Sequence, residues 1–294
     1  MKSAAKRGPK SPGKARAKPR AKPRAKPGAK PRAKRRPTPR PKTTPASSAS
    51  SESPLSKRRS APNVTPHLAR PKLIIFDVDG VLVDVRGSFH RSIIDTVRHF
   101  TGKRVTYADI QQWKRRTGYN DDWRLTTDWV ASLGGNAKYA QVKRAFQKIY
   151  WGVDGKRGNV WRERWLVPRH RLERWAKHAD LALFTGRTRR ELRHTLERFG
   201  MSDLFRHIVT MNDVENLKPH PEGLLRLLGG ADPRTAIYLG DVLDDALAAR
   251  SAGIPFYGVL AHGSDAHRVR AAQLREHGSR AILHSTNELE KYWR

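Results

Sequence analysis

The 294-residue sequence contains no cysteine, which excludes a disulfide framework, a thiol nucleophile and a thiolate zinc site, and fits a reducing compartment. No run approaches the roughly 20 apolar residues of a membrane span, so a soluble, cytoplasmic chain with no membrane partner is expected. The first residues lack the apolar stretch of a secretory signal, and export by that route is not expected. Acid is scarce where base is abundant: residues 1–70 hold 22 Lys and Arg against Glu52 alone, and no Phe, Tyr or Trp. That segment also carries 13 of the 19 prolines and cycles through Ala-Lys-Pro-Arg from Ala17 to Lys34. It cannot bury enough apolar surface to offset its chain entropy, and repeated proline blocks helix and sheet. Residues 1–70 therefore read as a disordered basic tail. Such a polycation can associate with DNA or RNA through counterion release, without reading bases, although with no aromatic platform it cannot stack on single strands. Non-specific nucleic acid is its candidate partner, with a merely solvated extension as the alternative.

The rest of the chain has a different texture. Whole-chain hydrophobic content is 37%, mean hydropathy -0.74 and net charge +33, but from Pro71 onward short apolar runs alternate with amphipathic stretches. That is the pattern of a parallel sheet covered by helices on both faces. Strands are expected at residues 72–76, 181–184, 207–210, 236–239, 256–260 and 281–283. Thr188 and Glu191 make a capping box for a helix whose apolar stripe is Leu192, Leu196 and Phe199 and whose stop is Gly200. A second helix is expected from about Leu243 to Ala252, closed by Gly253 and Pro255. The fold class is α/β, a doubly wound, Rossmann-like sheet, whose ligands sit at the carboxyl ends of the strands.

Those strand ends carry the polar residues of interest. The first strand runs into FDVDGVLVD, where Asp77 and Asp79, two apart in an extended chain, share a face while Val78 turns inward. Gly80 then lets the backbone turn. The second strand runs into Thr185-Gly186-Arg187, a hydroxyl and an N–H beside a positive charge, which makes Gly186 and Arg187 candidate substrate-binding positions. The strand at 236–239 runs into Gly240-Asp241, followed by Asp244 and Asp245, and Lys218 lies in the proline-stiffened loop Asn216–Pro221. Packed together, Asp77, Asp79 and Asp241 would repel and raise one another's pKa. A hard divalent cation removes that cost, and magnesium suits oxygen ligands shared with a substrate phosphate. With a lysine and a threonine aimed at the same spot, the constellation describes a phosphoryl-binding site.

In this order, the four segments resemble the motifs of the haloacid dehalogenase superfamily, over roughly residues 72–285 and with no counterpart for the tail. The resemblance implies that Asp77 is a nucleophile forming an aspartyl-phosphate and that Asp79 protonates the leaving oxygen and then activates water. It implies that Thr185 binds phosphoryl oxygens and Lys218 neutralises charge, and that Asp77, the backbone of Asp79, Asp241 and the fourth-motif Asp245 serve the metal. Asp244 is out of step with that motif. The presence of Asp79 argues against the metal-independent dehalogenases.

The 108 residues from Asp77 to Thr185 leave room for an insertion. Phe89, Ile93, Ile94, Val97 and Phe100 form one helical face, and Trp123 with Trp129, then Val142, Phe146 and Ile149, continue the helical pattern. This resembles the helical cap of subfamily I, which implies domains of 71–84 with 178–294 for the core and 85–177 for the cap. Seven of eight tryptophans (113, 123, 129, 151, 161, 165 and 175) fall in or beside the insertion and read mainly as its core. Arg115, Arg116 and Arg124 read as a solvated basic face rather than a clasp for an anionic substrate, and His220, His262 and His267 as loop and surface residues.

The implied activity is magnesium-dependent hydrolysis of a small phosphorylated metabolite, of the phosphoglycolate phosphatase kind. The opening DVDGVLVDVRGSFHRSI also resembles a subgroup with members joined to histidine-biosynthesis enzymes, which adds a histidinol-phosphate-like ester as a second substrate. Three rivals share the residues: a phosphomutase, a phosphonate hydrolase using Lys103, Lys114 or Lys138 for a Schiff base, and a nucleic-acid-binding protein with a vestigial catalytic domain. Nothing in the sequence sets an oligomeric state.

Overall fold

The computed structural model describes residues 70–261 and 265–292. The basic tail, apart from Arg70, and His262 lie outside the described residues.

Six strands make one all-parallel sheet: β1 (Leu73–Phe76), β4 (Asp180–Phe184), β5 (His207–Val209), β6 (Ala236–Gly240), β7 (Phe256–Val259) and β8 (Ser279–Leu283), in the order β5-β4-β1-β6-β7-β8. All six expected strands are present, with ends shifted by one or two residues. Alternation along β1 divides the interior. Ile74 and Phe76 join the larger apolar cluster, while Ile75 packs with Ala182, Phe184 and Tyr238 beneath the other face. The sheet is therefore buried on both sides, as an all-parallel sheet must be.

Helices α6 (Arg189–Phe199), α7 (Glu222–Leu228), α8 (Leu243–Ala252) and α9 (Asp265–Glu276) connect the later strands. The start of α6 has the reciprocal Thr188–Glu191 capping bonds, and Gly200 closes it at φ +67°. Gly253 closes α8 in the same left-handed conformation, which an L side chain would resist.

Four helices fill the interval after β1: α1 (Phe89–Thr101), α2 (Tyr107–Trp113), α3 (Asp122–Ser132) and α4 (Tyr139–Trp151). The expected apolar face of α1 buries Phe89, Ile93 and Val97, with Ile94 and Phe100 packed at its margin. A two-stranded antiparallel ribbon, β2 (Val83–Asp84) with β3 (Arg164–Trp165), closes the base of this helical insertion. Sequence periodicity has no purchase on strands of two residues. Within the ribbon Asp84, the third acid of FDVDGVLVD, is gripped by Arg86 Nη2 and Arg164 Nη2, each at 2.7 Å, so it takes no part in the strand-end site. Helix α5 (Arg169–Ala176) follows, and its Trp175 stacks on Phe76 of β1 with ring centroids 6.0 Å apart.

Candidate active site

The register of the sheet explains why distant residues converge. Phe76 pairs with Leu183 on one side and Leu239 on the other. The chain therefore leaves β1 at Asp77 at nearly the level where it leaves β4 at Thr185 and β6 at Asp241. The strand order reverses direction around β1, which is where a doubly wound sheet opens a crevice. Ladder bonds fix the exits: the Asp77 amide donates to Leu239 O at 2.8 Å and the Thr185 amide to Val209 O at 3.0 Å.

Asp77 is 6% exposed and Lys218 3% exposed. The Lys218 ammonium donates to Asp77 Oδ1 and to Asp245 Oδ1, each at 2.8 Å. Asp245 also accepts from the Tyr238 hydroxyl at 2.6 Å and, through Oδ2, from the amides of Asp241 and Val242. Asp77, Asp241 and Asp245 each bring a carboxylate oxygen within 4.8 Å of the others. Burial pushes the Asp77 carboxyl up to about 8, Lys218 opposing and the neighbouring aspartates adding to the rise. Burial likewise takes Asp241 up to about 6, against the pull of Arg270. Lys218 and Arg270 are two cations against these three carboxylates.

The donor set fits a small, hard divalent cation: all oxygen, mostly carboxylate, short of positive charge. Gly80, at φ +79°, brings the loop so close that an added Cβ would stand 2.5 Å from Asp241 Oδ2. Only glycine meets both the backbone conformation and that approach.

Asp79 turns away from Lys218 toward Arg187, whose Nε donates to Asp79 Oδ1 at 2.7 Å. The Arg187 side chain has no exposure, and neither does that of Glu163, which it meets through Nη2 at 2.9 Å. Glu163, just before β3, also accepts from the Thr195 hydroxyl at 2.8 Å and the Tyr150 hydroxyl at 3.0 Å. The expected substrate-binding Arg187 thus lines the cavity but spends its guanidinium on two carboxylates. Gly186 lines the cavity too, and a Cβ there would stand 2.5 Å from Asn120 Nδ2 of the insertion. Thr185 is buried, its hydroxyl accepting from the Arg187 amide at 3.1 Å.

Asp77, Asp79, Asp241, Gly186 and Arg187 line a cavity of about 50 Å³ between the strand ends and the insertion, together with His90, Lys114, Trp123 and Arg270. Burial, with Lys114 and Arg270 adding, pushes the His90 imidazole down to about 3 and leaves it neutral. For Lys114 burial works against the charge, but Asp122, 2.5 Å away, and then Asp241 and Asp79 outweigh it and raise the ammonium pKa. Lys103 and Lys138 are exposed. Arg115, Arg116 and Arg124 do not line the cavity; Arg124 pairs with Asp128, and Arg116 lies over Trp113. Among the tryptophans Trp123, Trp129 and Trp175 are buried, Trp123 also facing the cavity, and Trp161 is 41% exposed. His220 lies in the loop before α7, and His267 is on α9 rather than in a loop.

Three contacts missed by sequence reasoning hold the insertion onto the core. Asp244 Oδ2 accepts from the Gly118 amide at 3.0 Å, Gln273 Nε2 donates to Arg115 O at 3.1 Å, and Arg270 spans Gln111 of α2 and Asp241. Asp244 was visible as the middle acid of the three in DVLDD. Arg270 and Glu163 had no local signal, because their partners are far away in sequence.

Residues 171–259 match a family model described as Haloacid dehalogenase-like hydrolase. An imidazoleglycerol-phosphate dehydratase of Phytophthora nicotianae is 35% identical over 195 residues, 64% of this chain; the chain spans only 43% of that relative. A phosphoglycolate phosphatase of Haemophilus influenzae is 27% identical over 194 residues, covering 64% of this chain and 85% of the relative. Among solved structures, a haloacid dehalogenase-like family hydrolase from Streptococcus pneumoniae superposes with TM-score 0.58 at 18% identity, over 76% of this chain and 98% of that one. A subfamily IA hydrolase from Geobacter sulfurreducens gives TM-score 0.52 at 20% identity, over 78% and 99%. Over residues 171–259 the chain thus matches the haloacid dehalogenase-like hydrolases, and its described fold is shared with solved hydrolases of that kind.

Proposed function

We propose that the protein hydrolyses a small phosphomonoester by way of a phosphoryl group carried on Asp77. The observation that supports this best is the buried Asp77 carboxylate at the end of β1, 2.8 Å from the Lys218 ammonium and within 4.8 Å of two further acids. That is a nucleophile set where anionic oxygens can be received.

In this reading Asp77 forms a bond to phosphorus as the ester P–O bond breaks, and Asp79 gives its proton to the departing oxygen. Asp79 then removes a proton from water, whose oxygen attacks the same phosphorus; phosphate leaves and the Asp77 carboxylate is restored. Lys218 offsets negative charge at the nucleophile. The Thr185 hydroxyl, which accepts from the Arg187 amide, keeps its own proton for a phosphoryl oxygen, and the Gly186 N–H supplies a second donor. Arg187 holds the Asp79 carboxylate toward the cavity. Asp77, Asp241, Asp245 and the Asp79 backbone would hold magnesium, which when bound supplies positive charge against the phosphoryl oxygens. Residues 71–84 and 178–294 serve as the catalytic core, and the 85–177 insertion serves as a cap that excludes water.

Phosphatase relatives that act, by name, on phosphoglycolate favour a small ester. A Schiff-base role for Lys114 is disfavoured because its surroundings stabilise the charged ammonium rather than the free amine. Residues 1–70 are assigned to non-specific contact with polyanions. The test is a phosphate-release screen across phosphoglycolate, histidinol phosphate and related esters, with and without magnesium, on the native chain and on Asp77→Asn. Turnover by Asp77→Asn at the native rate would overturn the assignment.

A further inference from the structure

Away from the strand ends, one surface joins planar rings to uncompensated positive charge. Trp161, on the short 3₁₀ turn Asn159–Arg162, is 41% exposed. Arg157 lies over its ring at 4.8 Å and Arg198 at 5.1 Å. Beside it His194 of α6 meets Trp161 edge-on at 5.6 Å and Trp151 edge-on at 5.2 Å. Arg190, one turn earlier on α6, lies over Trp151 at 4.6 Å.

The electrostatics of these arginines set them apart. Arg91, Arg124, Arg169, Arg206 and Arg234 each pair with a carboxylate. Among the described residues Arg157, Arg190 and Arg198 pair with none. Arg198 instead donates to the carbonyls of Val160 and Trp161, each at 2.7 Å, which fixes its plane and leaves its charge uncancelled. Arginine on an indole face keeps a flat, weakly hydrated cation ready for an anion. Alternating rings and guanidinium groups suit a strand that presents a phosphate and a flat base at each step. Duplex DNA, whose bases are stacked inside, would use the charges and leave the rings idle.

We propose that the Trp151–His194–Trp161 surface, with Arg157, Arg190 and Arg198, binds single-stranded nucleic acid. A base stacks on the Trp161 platform while Arg157, on an exposed loop, moves from the ring to a phosphate. Arg190 meets the next phosphate over Trp151. These residues are distinct in sequence from the basic tail, which has charge but no ring to stack on.

That difference supplies the test on the full-length chain, tail included. Fluorescence anisotropy would compare an oligothymidylate of about 12 nucleotides with an abasic phosphodiester of equal length and charge. The native chain should prefer the base-bearing strand by roughly five- to 150-fold, the range of one base stacked on an aromatic ring. Trp161→Ala should lose that preference yet keep its affinity for the abasic strand, and Trp161→Phe should retain most of it. Arg157→Gln and Arg190→Gln, at exposed positions, should each weaken the binding of both strands and lower its salt dependence. Ester hydrolysis should stay unchanged in all four variants, which also reports that they fold. Equal affinity of the native chain for the two strands, or an undiminished preference in a folded Trp161→Ala, would overturn the proposal.

Discussion

Replacing Arg187 by methionine would remove the cation from a pocket where Glu163 has no solvent exposure. Glu163 would keep the Thr195 and Tyr150 hydroxyls but would lose its charge partner. Breaking a buried pair from one side typically costs about 3–5 kcal/mol, because an uncompensated charge remains. For a folded unit of this size class that corresponds to a fall in Tm of about 6–20 °C. Glu163→Leu should cost less, since Arg187 would still have Asp79. The double variant Arg187→Met/Glu163→Leu removes both charges, and apolar side chains of similar volume can match a buried ion pair. It should therefore recover part of the stability lost in Arg187→Met, a non-additivity of up to about 3 kcal/mol. Turnover should not recover, because Asp79 stays unanchored in both variants that lack Arg187. Urea melts give the stability cycle, and phosphate release gives kcat. Additive stability losses would refute the ion-pair reasoning, and recovery of kcat in the double variant would refute the positioning of Asp79.

Asp79→Asn should lower kcat by about 10²- to 10⁴-fold, the usual worth of a general acid–base group, as read by steady-state phosphate release. Metal-free protein should lose stability as pH rises from about 4 to 8, because native Asp77 and Asp241 hold protons that the unfolded chain has released. Magnesium at 100 times its Kd should restore about 2.7 kcal/mol at neutral pH, an increment that thermal melts of Asp241→Asn should fail to show. Asp84 behaves oppositely: the Arg86 guanidinium, against the cost of burial and with help from Arg164, holds its carboxyl well below the usual carboxylate range. Its stabilisation is complete above the unfolded value and is lost only as pH falls toward the depressed one. In acid titrations the deficit of Asp84→Asn should accordingly persist to about pH 4 and shrink below it. Gly186→Ala should push its methyl against Asn120 and hold the insertion off the strand ends, lowering kcat/KM while leaving the magnesium-dependent rise in Tm intact.

The parts of this molecule that could be read from the chain are those governed by local rules. Short apolar runs located all six sheet strands, and the Thr188–Glu191 box with Gly200 located both ends of α6. Asp77, Lys218, Asp241 and Asp245 meet because each follows a strand end or sits in a loop above one, a consequence of the fold class. Arg187 was legible as a cavity residue but not as the partner of Glu163, since a buried ion pair across 24 positions leaves no trace in spacing. Arg270 and Gln111 meet across 159 positions for the same reason. The β2–β3 ribbon was too short to show a period, so the Arg164–Asp84 contact across it left no local signal.

Asp244 and Asp245 are neighbours on the first turn of α8, about 100° apart around its axis. One looks outward to an amide of the insertion, the other inward to Lys218. A single helical turn thus answers to both the insertion and the buried acid cluster, with no chain of intermediaries between them. Transplanting a different insertion onto this sheet would require an N–H placed to meet the outward oxygen; without one, the turn would relax and carry the inward carboxylate with it.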